Sequence, residues 1–392
     1  MAARPLDIAP AGPVTLPDAG LGRGWEPTAV VLLTLLLVAF GLVTLYSASA
    51  VLAWRQELPD TYFVLRQAGG AAFGMVLLTV CALVPYDRWS RWAWPMIWTS
   101  VALLLLTVLP GTEAIAPEVN GARRWLRIAG ISIQPSELAK IAVIVWTATI
   151  AVKKQDHFKS LTMGLGPFFL VWGVVLLPVL LQPNLSTAMV IAALGLLVIF
   201  TAGARVAHFG FLALLVLPFV RKQLEVGFRA DRIEAFMNPA ADPDGAGFQL
   251  LQSLVAVGSG GVTGVGFGEG RQKFGFLPEA HNDFIFAMVG EEWGLVGIVL
   301  LVSTYLALIL VGFRIAARAP DLFGELLAVG ITSLIALQAT LHMAVGLGLV
   351  PTTGVALPLF SYGRSGLLAT LAALGILVSV ARAAPGGRLA RA

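Results

Sequence analysis

An all-α polytopic membrane protein, with about ten transmembrane helices and a long extracytoplasmic loop between helices 7 and 8, is the fold this sequence predicts. Two observations predict it. Of the 392 residues 58% are hydrophobic and only 12% charged, about half the charge fraction of a soluble domain. Ten apolar runs also recur at the length that crosses a bilayer, about 20 residues each. The 26 Lys and Arg against 22 Asp and Glu leave a net charge of +4, too small an excess to argue for nucleic acid.

The elements follow in order. Residues 1–27 are rich in Pro, Gly and Ala and lack a basic segment leading straight into an apolar core, so they read as a disordered cytoplasmic tail and not as a signal peptide. Spans are expected near 28–50, 62–84, 92–109, 135–152, 163–181, 186–203, 206–224, 284–312, 325–347 and 366–383. Gln182-Pro183-Asn184 divides the stretch 163–203 into two. Residues 28–384 thus form one transmembrane domain, followed by a second cytoplasmic tail, 385–392. The single cysteine, Cys81, lies inside an apolar run and reads as a buried structural thiol, which excludes a disulfide scaffold.

Basic residues in the connections set the orientation. With both termini inside, the cytoplasmic side holds Arg4, Arg23, Arg88, Arg91, Lys153, Lys154, Lys159, Arg205, Arg314, Arg318, Arg382, Arg388 and Arg391. The short outer connections then hold only Arg55, Arg123, Arg124, Arg127 and Arg364. The long outer loop, about 225–283, is too long for an idle connection in a compact fold. Its Phe228, Ile233, Phe236, Phe248, Leu250, Leu251, Leu254, Val255, Phe274 and Phe276 are expected to be buried as short helices on the ends of the spans.

Chemistry-bearing groups gather on this outer side. Asn120-Gly-Ala-Arg-Arg-Trp-Leu-Arg places three guanidiniums where positive charge is usually scarce, and their forks suit phosphate. Headgroup anchoring, with Trp125 as an interfacial residue, is the alternative. In Gln134-Pro-Ser-Glu-Leu-Ala-Lys140, Glu137 and Lys140 share a helical face inside an apolar run. They are either an internal ion pair or the lining of a polar cavity. Arg229-Ala-Asp-Arg-Ile-Glu and a glycine-rich run, 258–270, lie in the long loop. That run suits close approach to a ligand, but matches neither a nucleotide fingerprint nor a phosphate loop. Glu279, His281 and Asp283 of Leu277-Pro-Glu-Ala-His-Asn-Asp cluster at the entrance to the eighth span, ahead of Gly290-Glu-Glu-Trp-Gly. A carboxylate there is placed to take a proton from a sugar hydroxyl, or it caps a helix. His281 has no second ligand at zinc spacing, whereas a hard divalent cation held by Asp283 and diphosphate remains open. Pro351-Thr-Thr-Gly-Val-Ala-Leu-Pro-Leu-Phe-Ser-Tyr-Gly-Arg reads as a re-entrant or broken segment.

Taken together NGARRW, QPSEL-AK, GFQLLQS-LVAVGSGG, LPEAHNDFIF-A, GEEWG and PTTGVALPLFSYG resemble the SEDS family of peptidoglycan glycosyltransferases over nearly the whole chain. The LPEAH and GEE forms are closer to its FtsW branch than to its RodA branch. The resemblance implies polymerisation of lipid II at the outer face of the cytoplasmic membrane during cell division. A class B penicillin-binding protein and other divisome or elongasome membrane proteins would be its partners. The family's essential acid falls on Asp283, as general base for the acceptor's 4-hydroxyl. Arg123, Arg124, Glu137, Lys140, Gln252, Ser253, Glu279, His281 and Ser361 become candidate substrate contacts. No cofactor is implied beyond a possible Mg or Mn ion. Asn184 and Ser186 depart from the family's QPDLGTA, Arg364 and Gly366 from its SYGGSS, and His342 from a usual asparagine. Alternatives are a RodA-like elongation polymerase, a lipid II flippase, for which no paired broken helices speak, and a structural partner of division proteins.

Overall fold

The computed structural model describes residues 24–119, 121–128, 130–158, 160–224, 226–239, 245 and 247–384. Of the expected tails, 1–27 and 385–392, only residues 24–27 are among the described residues, and Asn120 also lies outside them. The helices are α1 (Glu26–Arg55), α2 (Tyr62–Leu83) and α3 (Trp89–Val108), then a hairpin of β1 (Leu126–Ile128) and β2 (Ile131–Ile133). There follow α4 (Pro135–Lys154), α5 (Gly166–Leu181), α6 (Leu185–Thr201), α7 (Val206–Leu224), α8 (Gly227–Met237) and α9 (Phe248–Ser259). The last three are α10 (Ile285–Ala317), α11 (Leu322–Gly346) and α12 (Arg364–Ala383). Every predicted span has its helix. Among the described residues eight of them, α1 to α5 and α10 to α12, are long and apolar enough to cross a membrane, α5 together with the helical turn ahead of it as Met163–Leu181; α6, at 17 residues, falls just short.

The boundaries follow local chemistry. Pro27 and Pro135 occupy first turns, where a missing N–H costs nothing. The Pro27 turn starts α1 at Glu26, inside what the sequence reading assigned to the tail. There Glu26 receives hydrogen bonds from Arg314 and Arg318 at 2.9 and 2.7 Å, which ties the start of α1 to the end of α10. Asp321 accepts from Gly324 N at 2.8 Å and caps α11.

Three helices form the centre. The apolar windows of α4, α11 and α12 are 78%, 72% and 67% buried, against 33–39% for the other five. Protein on all sides lets the central helices carry polar groups such as Lys140, Thr147, Gln338 and His342, which lipid would penalise. α2 packs along α12 through small residues: a Cβ at Gly74 would strike Leu371, and one at Gly375 would strike Leu78.

α10 is two helices joined at Gly294, whose φ of 63° interrupts the hydrogen-bond ladder. The sequence reading treated this span as continuous. The freed backbone groups are met by the glycine-rich run: Val265 N and Gly266 N donate to the Glu291 and Glu292 carbonyls at 2.9 and 3.2 Å. Leu295 N and Val296 N donate in turn to Gly261 O and Val262 O. A Cβ at Gly260 or Gly264 would collide with the Gly290 or Glu292 carbonyl. The close approach read for this run is therefore to the protein's own backbone.

In the long connection the two short helices α8 and α9 form as expected, but the burial does not follow the prediction throughout. Leu250 is buried, whereas Leu254, Val255, Phe274 and Phe276 are exposed. The segment after α11 enters the bundle without helical structure, burying Val355, Leu357, Leu359 and Phe360. Phe360 packs on Gly41, half-way along α1, and Tyr305 donates to the Pro358 carbonyl.

Candidate active site

Five connections meet at one end of the bundle: 56–61, 109–134, 182–184, the 226–284 segment, and 347–363. Asp283 lies among them at the mouth of α10. Its N–H donates to Glu279 O at 3.0 Å, so residues 279–283 form a tight turn. That turn is possible because Glu279 takes a left-handed φ of 53°. The late loop closes over it: Tyr362 N donates to His281 O at 3.1 Å and Ser361 Oγ to Asn282 O at 2.7 Å.

The electrostatics of Asp283 are those of a withheld proton site. Burial, and then the Glu279 carboxylate, push its pKa up to about 7, while Arg232 and Arg124 pull the other way. Among the described residues its carboxylate receives no hydrogen bond. Gly354 stands beside it, an added Cβ falling 3.6 Å from Oδ2. His281 is packed between Phe63 and Tyr362, with ring centroids 5.6 and 5.8 Å away. Burial holds its imidazole below the usual value, and Glu279, 4.0 Å off, offsets this in part.

The two adjacent arginines of the first outer connection separate. Arg123 spends its fork within its own turn, on Glu113 (3.0 Å), Thr112 (2.5 Å), Ala116 O (3.0 Å) and Leu109 O (3.1 Å). Arg124 donates to Gln182 O and Pro183 O at 3.1 and 2.9 Å, and from there its charge reaches Asp283. A cleft of about 270 Å³ between the 118–123 turn and residues 181–183 lies on the Arg123 side.

Other predicted contacts are committed inside the protein. Ser253 Oγ donates to Gly346 O at 2.8 Å, holding α9 to the end of α11. Ser361 Oγ also accepts from Leu357 N at 2.9 Å. Glu137 and Lys140 form the internal ion pair, at 2.7 Å, against Gly366 of α12. Gln252 is half-buried on α9, and Glu279 stays half-exposed at the rim. The residue not singled out from the sequence is Arg232. It lies one turn beyond Arg229 on α8, donates to Thr352 O at 3.5 Å, and acts on Asp283. The i, i+3 spacing of two arginines was its only signal.

Among the described residues no three His, Cys, Asp or Glu side chains converge, and the groups that balance Asp283 are guanidiniums. The chemistry available is proton removal at Asp283 beside a pair of fixed positive charges.

Comparison with known proteins places this arrangement. The FtsW/RodA/SpoVE model, described as cell cycle protein, matches residues 27–385. The probable peptidoglycan glycosyltransferase FtsW of Geobacter metallireducens is 42% identical over 352 residues, covering 90% of this chain and 93% of that one. The stage V sporulation protein E of Bacillus subtilis is 41% identical over 354 residues, covering 90% and 96%. Among solved structures, a chain from a peptidoglycan synthase complex, studied for coordination of polymerization and crosslinking, superposes with a TM-score of 0.73 at 32% identity, covering 90% and 96%. The rod shape determining protein RodA of Thermus thermophilus gives 0.66 at 28% identity, covering 92% and 96%. The match runs from the first helix to the last. The chain is a multi-pass membrane protein that belongs to the FtsW/RodA/SpoVE family of cell cycle proteins.

Proposed function

We propose that this protein is the peptidoglycan glycosyltransferase of cell division, polymerising lipid II into glycan strands at the outer face of the cytoplasmic membrane. The observation that carries the reading is Asp283, a carboxylate with its pKa raised to about 7 and without a hydrogen-bond donor among the described residues, held beside Arg124 and Arg232. An acceptor of about neutral proton affinity is what a general base at physiological pH requires.

The reaction then runs as a single displacement. Asp283 takes the proton of the acceptor sugar's 4-hydroxyl as that oxygen forms a bond to the donor's anomeric carbon. The bond from that carbon to the diphosphate oxygen breaks, and its electron pair leaves on undecaprenyl diphosphate, with inversion. Arg124 and Arg232 are fixed before the reaction and neutralise the charge that develops on the leaving group. Arg123, Ser253 and Ser361 hold the walls of the site, and the Glu137–Lys140 pair holds α4 against α12.

The names of the relatives support division over elongation. Arg88, Arg91, Lys153, Lys154, Arg205, Arg314, Arg318 and Arg382 all stand at the end of the bundle opposite Asp283, which supports cytoplasmic termini and an outer site. A class B penicillin-binding protein is the expected partner. The exposed Val262, Phe267, Phe274 and Phe276 of the long connection support a protein partner on that face. The test is polymerisation of lipid II by the purified protein with its partner. Asp283→Ala is expected to make no glycan, and normal polymer from that variant, or lipid flipping without polymer from the native chain, would overturn the reading.

A further inference from the structure

A second pair of arginines stands on the other side of the 279–283 turn. Arg66 and Gly70 are four residues apart, so they share one face of α2. The aliphatic stem of Arg364 lies across Gly70, with Cγ, Cδ and Cβ at 3.2–3.7 Å from where a Cβ would stand. Gln67 fixes the register between them, donating to Ser361 O at 3.0 Å and accepting from Gly363 N at 3.2 Å. The Arg66 guanidinium rests over the Tyr62 ring, 5.0 Å from its centroid. Among the described residues its only hydrogen bond is the one it donates to that ring's hydroxyl. Among the described residues neither arginine has a carboxylate partner, and Arg364 has no hydrogen bond. Both half-buried guanidiniums act on Tyr362, and an anion bound beside that ring would meet two positive charges that no carboxylate neutralises among the described residues.

The surroundings indicate which anion. Arg124 and Arg232 act on Asp283, whereas Arg66 and Arg364 act on Tyr362, whose ring lies against His281. The two basic pairs are therefore separate and flank one turn. Below Arg66 the outward face of α2 is apolar and open, with Leu65, Phe73 and Val76 exposed by 65%, 63% and 59%. A polyprenyl chain finds its solvent there.

We propose that Arg66 and Arg364 form a second diphosphate site, which holds the acceptor's polyprenyl diphosphate while Arg124 and Arg232 take the donor's. The assignment rests on the polymerase reading. Polymerisation brings together two lipid-linked sugars but releases only one diphosphate. The other stays bonded, a disaccharide away from the attacking hydroxyl, so its site belongs beyond the base and has no charge change to stabilise. Removing it raises KM and spares kcat.

The experiment uses the full chain with its partner in nanodiscs, titrated with undecaprenyl diphosphate and counted by native mass spectrometry. The native protein is expected to take two molecules and Arg66→Gln/Arg364→Gln one. In the polymerisation assay that double variant should show a KM for lipid II raised about tenfold, the loss of roughly one charge-assisted contact. Its kcat should stay within about twofold. Arg364→Gln alone, which leaves α2 untouched, should show a smaller rise in the same sense. Two molecules on the double variant, or a fall in kcat at constant KM, would overturn the proposal. So would displacement of the second molecule by phosphatidylglycerol, which would make the pair a headgroup site. Two molecules on the native chain and one on the double variant, without any polymer from either, would uphold the site and sink the polymerase reading instead.

Discussion

Two acidic motifs lie within ten residues of each other, and the protein treats them in opposite ways. At the entrance to α10, the Asp283 carboxylate receives no hydrogen bond among the described residues and is acted on by two guanidiniums. About two turns past it, Glu291 accepts from Arg271 N at 2.8 Å and from Gln272 N at 3.3 Å. Glu292 accepts from Ser47 at 2.6 Å and Lys273 at 2.9 Å, and both glutamates are almost wholly buried. The second motif is a fastener: it holds the glycine-rich run and the turn at Arg271–Phe274 against the break in α10. The first is left with unused capacity. Satisfied carboxylates build structure, and an unsatisfied one near fixed cations is available for chemistry.

The largest effects should separate these roles by kind. Asp283→Asn should lower the rate of lipid II polymerisation by about 10²–10⁴-fold, the usual contribution of a positioned acid or base. Its melting temperature and its co-purification with the partner should hold. Glu292→Gln leaves Lys273 as a buried charge without its counter-ion, a change worth about 3–5 kcal/mol in stability. It should therefore fail in thermal melts or expression before it fails in turnover. An Asp283→Asn protein that melts early, or a Glu292→Gln protein that is stable but inert, would erase the distinction.

The adjacent arginines offer the next test. Arg232→Gln and Arg124→Gln should each reduce kcat by about 10–10³-fold, as the loss of one preorganised charge at a leaving group does. Arg123→Gln should loosen the 109–116 turn and leave kcat within a few-fold, seen as earlier proteolysis of that turn. If all three behave alike, the site's charge is diffuse and Asp283 has no privileged partners.

How much of this the chain announced depends on the range over which each interaction acts. The spans were legible because a lipid solvent demands about 20 apolar residues in succession, and Pro183 marks the break between α5 and α6. Asp283 was legible as an acid in a motif. Arg123 and Arg124 could not be told apart, because neighbours in an extended segment point to opposite sides and only the fold says which side holds Asp283. Arg232 was hidden for the same reason: its importance comes from reaching Thr352, 120 positions away. The donations of Ser253 to Gly346 O and of Ser361 to Asn282 O, at 2.8 and 2.7 Å, were hidden likewise, because each joins segments 93 and 79 positions apart. The Gly294 break was missed because apolar residues run through it on both sides.

The pH profile sharpens the comparison further. A base must be deprotonated to act, so polymerisation should rise as pH passes through about 7, the value to which burial and Glu279 raise Asp283. Arg232 favours the ionised form, so Arg232→Gln should move the rising limb to higher pH. Glu279→Gln removes a neighbouring negative charge and should move it lower. The measurement is initial rate against pH from about 5 to 9 for the three proteins, and shifts in the same direction for both variants would contradict the charge arrangement.

The smallest effect is on stability, and its sign differs from the usual cost of altering a buried polar residue. Because folding raises the Asp283 pKa from 3.8 to about 7, the folded state binds more protons than the unfolded state between those values. Its stability therefore falls as pH rises through that window, and the penalty is fully present above pH 7. Asn carries no charge to desolvate. Asp283→Asn should match the native melting temperature near pH 4 and exceed it by a few degrees at pH 8, where about 1 kcal/mol corresponds to about 2–4 °C in a domain of some 200 residues. Glu292→Gln should be the less stable protein at both. A gain for Asp283→Asn that does not depend on pH would mean that shape, and not the withheld proton, sets the cost of this carboxylate.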